Sequence, residues 1–273
     1  MIPAHSPGDS TAPLGVFDSG VGGLTVVRAL RHYLPGENIV YLGDMARLPY
    51  GNKSPETVVR YTRACVSVLL EHGIKLLVVA CNTATAYALP TLERELKVPV
   101  IGVLDPGARS AAARSKTGHI GVIGTRGTIA SGVYQSALAR LAPRATVLAR
   151  PCPLFVPLAE EGWTEGPVPR QIAETYLAEF RAARVDSLLL ACTHYPLLMN
   201  TIASVMGPDV VVVDSADATA ETVADALDRL HLRAASRGPG DLTCLVSDSP
   251  ERFVETGRAF LGETISRVEW VDL

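Results

Sequence analysis

An excess of positive charge is the first thing this chain lacks. It has 25 basic and 28 acidic side chains in 273 residues, a net charge of −3. That leaves no electropositive surface on which a nucleic-acid backbone would collect, so no nucleic-acid partner is expected. Long hydrophobic runs are missing as well. Hydrophobic residues make up 48% of the chain, yet no stretch approaches the roughly 20 uninterrupted apolar residues of a membrane span. The opening stretch, MIPAHSPGDSTAPLG, has no charged region leading into an apolar one. It reads as a loose tail rather than a signal peptide. Cysteine is sparse: five thiols, an odd number without the spacing of a disulfide framework, indicate reduced cysteines in the cytoplasm. One Cys-x-His pair stands without a CxxC or HxxxH to complete a zinc site, so no metal is expected. Gly20, Gly22 and Gly23 have the wrong spacing for the GxGxxG dinucleotide fingerprint.

What is present is a regular alternation. Short aliphatic runs at 14–18, 38–44, 76–81, 98–104, 119–124, 187–192, 210–214 and 242–247 read as strands. They are nearly continuous in apolar residues, the pattern of strands covered on both faces. Helical stretches lie between them, among them 54–72, 84–96, 167–184 and 215–232. Such alternation predicts an α/β fold with mainly parallel sheets. Ligands in these folds collect beyond the carboxyl ends of the strands, where Asp18, Cys81, Cys192 and Asp214 fall. There is also an internal echo. GVFDSGVGGLTVV (15–27) resembles GVIGTRGTIASGVY (121–134), 106 residues on, and LLVVACNTAT resembles SLLLACTHYP, 111 residues on. Two similar offsets in the same order imply two related α/β halves.

The second echo delivers a thiol twice. A cysteine at a strand end is ordinarily core, and Cys65, Cys152 and Cys244 read that way, in apolar runs with nothing polar nearby to activate them. Cys81 and Cys192 differ, because each stands between a strand and a helix start. A thiol at a helix N-terminus feels the positive end of the dipole, which predicts a pKa lowered from about 8.5 toward neutrality, and the same N–H groups can bind a carboxylate. Pro196 marks the helix start after Cys192. If the strand continues through Cys192, His194 shares its face and is placed to tune or relay a proton. Asp18 and Ser19 sit at a strand end before a glycine-rich stretch, which reads either as a tight βα turn or as a place where they face an amino group or a proton in transit. DMARLPYGNKS (44–54), with Tyr50 and Gly51, reads by itself only as a surface loop.

Taken together, FDSGVGGLTV, GDMARLPYGNKS, VVACNTATA, IGVIGT, CPLFVPLAEEG and LLLACTHYPLL resemble, in this order, the bacterial glutamate racemases of the aspartate/glutamate racemase family, over nearly the whole chain from Gly15 to about Phe260. The YG loop and the CTHYPLL form favour the glutamate branch over aspartate or hydantoin racemases. The resemblance implies a cofactor-independent two-base mechanism, with Cys81 the acid/base on the D side and Cys192 on the L side. It implies that Asp18 and His194 assist them and that Glu160 is a further acidic residue. Substrate contacts would come from Asp18, Ser19, Tyr50, Gly51, Asn82, Thr83, Thr193 and His194. It also implies two pseudo-symmetric α/β domains with the active site in the cleft between them: 1–103 plus 215–273, with 1–13 a loose tail, and 104–214. A homodimer and a role in supplying D-glutamate to peptidoglycan follow from the same source. Where the family often has Ile-Glu-Pro-Gly, this chain has Leu104-Asp105-Pro106-Gly107, and Asp105 is given no catalytic role. Competing readings are a racemase of aspartate or another amino acid, a non-catalytic regulatory protein of the same fold, and a thiol transferase. The last leaves the second thiol unexplained.

Overall fold

Two parallel sheets organise the chain, and the second repeats the strand order of the first. The computed structural model describes residues 9–236 and 238–273. The first part of the chain runs β1 (Leu14–Asp18), α1 (Leu24–Tyr33), β2 (Ile39–Gly43), α2 (Pro55–Glu71), β3 (Leu76–Val79), α3 (Asn82–Glu95), β4 (Val100–Gly102) and α4 (Leu104–Arg114). Next come β5 (His119–Gly124), α5 (Arg126–Ala130), α6 (Val133–Leu141), β6 (Thr146–Pro151), α7 (Phe155–Glu160), α8 (Pro167–Ala182), β7 (Ser187–Ala191), α9 (Met199–Met206) and β8 (Val211–Val213). The last part is α10 (Ala216–Arg229), β9 (Leu242–Val246), α11 (Pro250–Leu261) and β10 (Val268–Trp270). One sheet has the order β10-β9-β2-β1-β3-β4 and the other β6-β5-β7-β8. The block β2-β1-β3-β4 thus recurs as β6-β5-β7-β8, the structural form of the sequence echo. The chain leaves the first sheet after β4 and returns to it after β8.

The strands are parallel because helices cover both faces, and β1, β2, β3 and β7 are buried at every position. Along β1, Leu14 and Val16 enter a cluster with residues of α1, α10 and α11, while Phe17 enters the opposite one with α2 and α3. The first cluster continues without a break into the second sheet through Ile123, Phe155, Leu188 and Tyr195. Burying each such Val, Leu or Phe stabilises the fold by about 1.5–3 kcal/mol, so this shared core ties the halves together. The helices start where local chemistry allows. Ser54 caps α2 by accepting from Thr57 N at 3.3 Å, with Pro55 in the first turn. Among the described residues, no helix is long and apolar enough to cross a membrane.

Several expectations need correction. β6 and β10 were not read as strands, and β4 is shorter than its aliphatic run. β6 and β10 are edge strands with no fully buried position, so they lack the continuous apolar run that marks the central ones. Residues 1–8 of the expected tail lie outside the described residues. From Ser10 the chain is held in place: Lys75 Nζ donates to Ser10 O at 2.6 Å, Lys75 N to Pro13 O at 2.9 Å, and Ala12 is buried.

Candidate active site

The candidate site residues come from equivalent corners of the two halves. Cys81 follows β3 and Cys192 follows β7, strands that each lie beside the first strand of their own half. Cys81 is the N-cap of α3. Its Sγ accepts from Ala84 N at 3.4 Å and lies 3.4 Å from Ser19 Oγ. Cys192 lies 4.0 Å from His194 Nδ1. This proximity comes from a turn rather than from strand alternation: β7 ends at Ala191, and His194 has helical backbone angles before the 3₁₀ turn Tyr195–Leu198. His194 Nε2 in turn bonds Glu160 Oε1 at 3.0 Å. The neighbouring Glu161 is exposed and faces Arg252 at 3.9 Å, which separates the two glutamates of PLAEEG.

Asp18 joins the halves. Its carboxylate accepts from Gly20 N at 3.0 Å and from Thr193 Oγ1, across the cleft, at 3.3 Å. Thr25 Oγ1 reaches Thr193 O at 3.4 Å. Gly22 packs so closely here that a Cβ would lie 2.4 Å from Thr193 Oγ1 and 2.5 Å from His194 Nδ1. Asp18, Cys81, Asn82, Thr83, Cys192, Thr193 and His194 are all buried, so the site is shielded from bulk water. Asp214, the fourth polar strand end, accepts from Ala216 N at 2.8 Å just ahead of α10.

Burial dominates the electrostatics around Cys81. Burial, then the Asp18 carboxylate, pushes Cys81 up to about 12, against the hydrogen bonds of Ser19 and Ala84. This reverses the expected lowering, because the dipole acts on a thiol that has lost its water and faces a carboxylate. Charge on Cys192 also raises Cys81. Burial raises Asp18 too, more than His194 lowers it. His194 is pulled down by burial, but Cys192 and Glu160 outweigh this and lift it to about 10. Glu160 is lowered, its burial offset by His194 and Arg252.

The loop 44–54 is more than surface. Tyr50 is fully buried, and its hydroxyl donates to Asp44 Oδ2 at 2.6 Å. Asp44 also accepts from Arg47 Nε at 2.7 Å and Ser247 Oγ at 2.9 Å. Tyr50 therefore has its hydroxyl committed, and what the loop can offer a ligand is backbone around Gly51, which packs against Thr125 with no room for a Cβ. Cys65 is core, as expected, but not apolar in its surroundings: Arg47 Nη2 lies 3.4 Å and Tyr50 Oη 3.9 Å from its sulfur. Burial takes Cys65, Cys152 and Cys244 up to about 12, like Cys81. Cys81 is set apart by its partners in the cleft and not by acidity.

Sequence reasoning missed Thr125 and Thr128. Their hydroxyls form a triangle with Thr83, with sides of 2.9, 3.0 and 3.0 Å, at the capped start of α5. The echo held the signal, since Thr125 stands in it where Ser19 stands in the first copy.

The profile of the Asp/Glu/Hydantoin racemase family matches residues 23–223. The chain belongs to that family. A glutamate racemase of Geobacter metallireducens is 51% identical over 95% of this chain and 96% of its own length. The crystal structure of a glutamate racemase isoform from Bacillus anthracis superposes with a TM-score of 0.93 at 39% identity, covering 97% of this chain and 98% of that one. A Francisella tularensis glutamate racemase, solved in complex with D-glutamate, gives 0.90 at 34% identity, covering 96% and 98%. The two-sheet, mainly parallel α/β architecture is the fold of the glutamate racemases it superposes on.

Proposed function

We propose that the protein racemises free glutamate, converting the L to the D form by proton transfer between Cys81 and Cys192, without a cofactor. What supports this reading is a pair of buried thiols just past the ends of equivalent strands, one in each half and each backed by its own proton-handling groups. Cys192 removes the α-proton of L-glutamate while Cys81 donates to the other face, and the reverse steps convert the D form. Cys81, held as a thiol with Ser19 and Asp18 beside it, suits the donor role in the L-to-D direction. His194, kept protonated by Cys192 and Glu160, stabilises negative charge at Cys192 before the thiolate accepts the α-proton. Asp18 and Ser19 receive the α-amino group. Asn82, Thr83, Thr193 and the backbone at Gly51 hold the carboxylates, with the Thr125 and Thr128 hydroxyls as further donors.

The difficulty of this chemistry is that the α-proton of an amino acid is far less acidic than a thiol, with no electron sink to share the charge. Two features of the cleft address it. Buried donors fixed before the reaction stabilise the developing carbanion electrostatically, and the packed halves exclude the water that would otherwise solvate both thiols. The D-glutamate produced serves peptidoglycan synthesis, and the enzyme acts in the cytoplasm as a homodimer.

A panel of L- and D-amino acids followed by circular dichroism tests the substrate, since glutamate alone is expected to lose its signal rapidly. Aspartate racemised as fast would refute the glutamate assignment. Cys81→Ser and Cys192→Ser are each expected to abolish racemisation, and full activity in either one would sink the two-thiol mechanism.

A further inference from the structure

The side-chain amide of Asn82 holds an unused donor. Asn82 opens α3 directly after Cys81 and is 3% exposed. Its Oδ1 accepts the Tyr134 hydroxyl, while its Nδ2 is buried with no hydrogen-bond partner among the described residues. A buried donor without a partner is destabilising and therefore rare.

Turning the amide over would make matters worse. Tyr134 is fully buried, and burial, followed by charge on Cys192, Asp105 and Cys81, pushes its phenol well above its usual value. The hydroxyl therefore keeps its proton, and its only hydrogen bond among the described residues goes to Asn82. A flipped amide would orphan both that proton and Oδ1, whereas the observed orientation orphans Nδ2 alone. Tyr134 belongs to α6 in the second half and Asn82 to α3 in the first, so the bond spans the cleft, and the phenol feels charge on both thiols.

We propose that Tyr134 is a positioning residue: its hydroxyl fixes the Asn82 amide so that Nδ2 points at a carboxylate of bound glutamate beside Cys81. This rests on the glutamate reading above. Tyr134 touches no substrate atom and acts only through Asn82.

The test is calorimetric titration of D-glutamate into the wild type, Tyr134→Phe, Asn82→Ala, the double variant and Asn82→Asp, with melting curves as folding controls. Tyr134→Phe keeps the ring and is expected to weaken binding about tenfold. In the Asn82→Ala background the same change is expected to do nothing further, the non-additivity of residues acting through one contact. Asn82→Asp still accepts from Tyr134 but turns a carboxylate oxygen toward the ligand, so binding is expected to fall at least about a hundredfold. An unchanged affinity in folded Tyr134→Phe, a double variant that adds the full loss, or tolerance of Asn82→Asp each overturns the proposal. If Tyr134→Phe does not fold, the Asn82→Asp result decides. A wild type that binds no glutamate overturns the glutamate reading and this inference with it, an outcome distinct from a binding wild type with insensitive variants.

Discussion

Replacing Gly22 with alanine gives the sharpest test of the cleft geometry. The added methyl would lie 2.5 Å from His194 Nδ1, 2.7 Å from its Cε1 and 2.4 Å from Thr193 Oγ1. Restoring an ordinary 3.4 Å contact to Nδ1 takes about 0.9 Å of movement. Both residues belong to a buried turn held by Glu160 and Asp18, so the strain falls on those hydrogen bonds. Overpacking of this kind costs about 1–3 kcal/mol, which leaves a domain of this size folded. Displacing a catalytic group by about 1 Å costs on the order of a hundredfold in rate, or about 2.7 kcal/mol of barrier. Gly22→Ala is therefore expected to melt cooperatively, a few degrees below the wild type, with kcat/KM for glutamate racemisation reduced about a hundredfold by circular dichroism. A folded variant with wild-type kcat/KM would show that the position of His194 against Cys192 does not matter, and would refute the proton-transfer reading of this side of the cleft.

Two further outcomes follow from the charges. His194 stands at about 10, above its ordinary value of 6.5, so its proton is retained through neutral pH and lost as pH rises through about 10. The stability linked to it is fully present below about 6.5 and disappears over the same rise. Glu160→Gln removes a group that raises His194, so the alkaline limb of the kcat/KM profile is expected to move down by about one to two pH units; a limb that stays in place refutes the pairing. Away from the site, Lys75 and Glu37 form a buried ion pair with side chains 1% and 2% exposed. Lys75→Met leaves a buried carboxylate uncompensated and is expected to cost about 3–5 kcal/mol by denaturant titration. Glu37→Gln in the same chain is expected to recover most of that loss, because it keeps the acceptor for Ala234 N.

The strands that carry the thiols were legible because burial on both faces writes itself as an unbroken aliphatic run, as in LLVV and SLLLA. β6 and β10 were not, because an edge strand needs no such run. The cysteine pair was visible as a repeated strand-to-helix junction; Glu160 came only with the family resemblance, and its contact with His194 only with the structure. Tyr50 was hidden because burial of a polar loop depends on Asp44, Arg47 and Ser247, whose meeting is set by tertiary structure. The acidity of Cys81 was misjudged for a related reason. A helix start is a local feature, but the loss of water around the sulfur and the nearness of Asp18 are not.

The repeated block of four strands sets two almost matching corners against each other, yet their furnishings differ: hydroxyl and carboxylate behind Cys81, imidazole and carboxylate behind Cys192. For a catalyst of enantiomer interconversion this inequality has a strict limit. Mirror-image solutes have equal free energies in water, so the equilibrium constant is unity, and detailed balance forces kcat/KM to be the same from either enantiomer. The differences between the two corners can therefore surface only in how each ratio divides, as unequal turnover numbers matched by proportionally unequal Michaelis constants. A duplicated fold can specialise each copy for one half of the proton transfer, but neither copy can make the net reaction run one way.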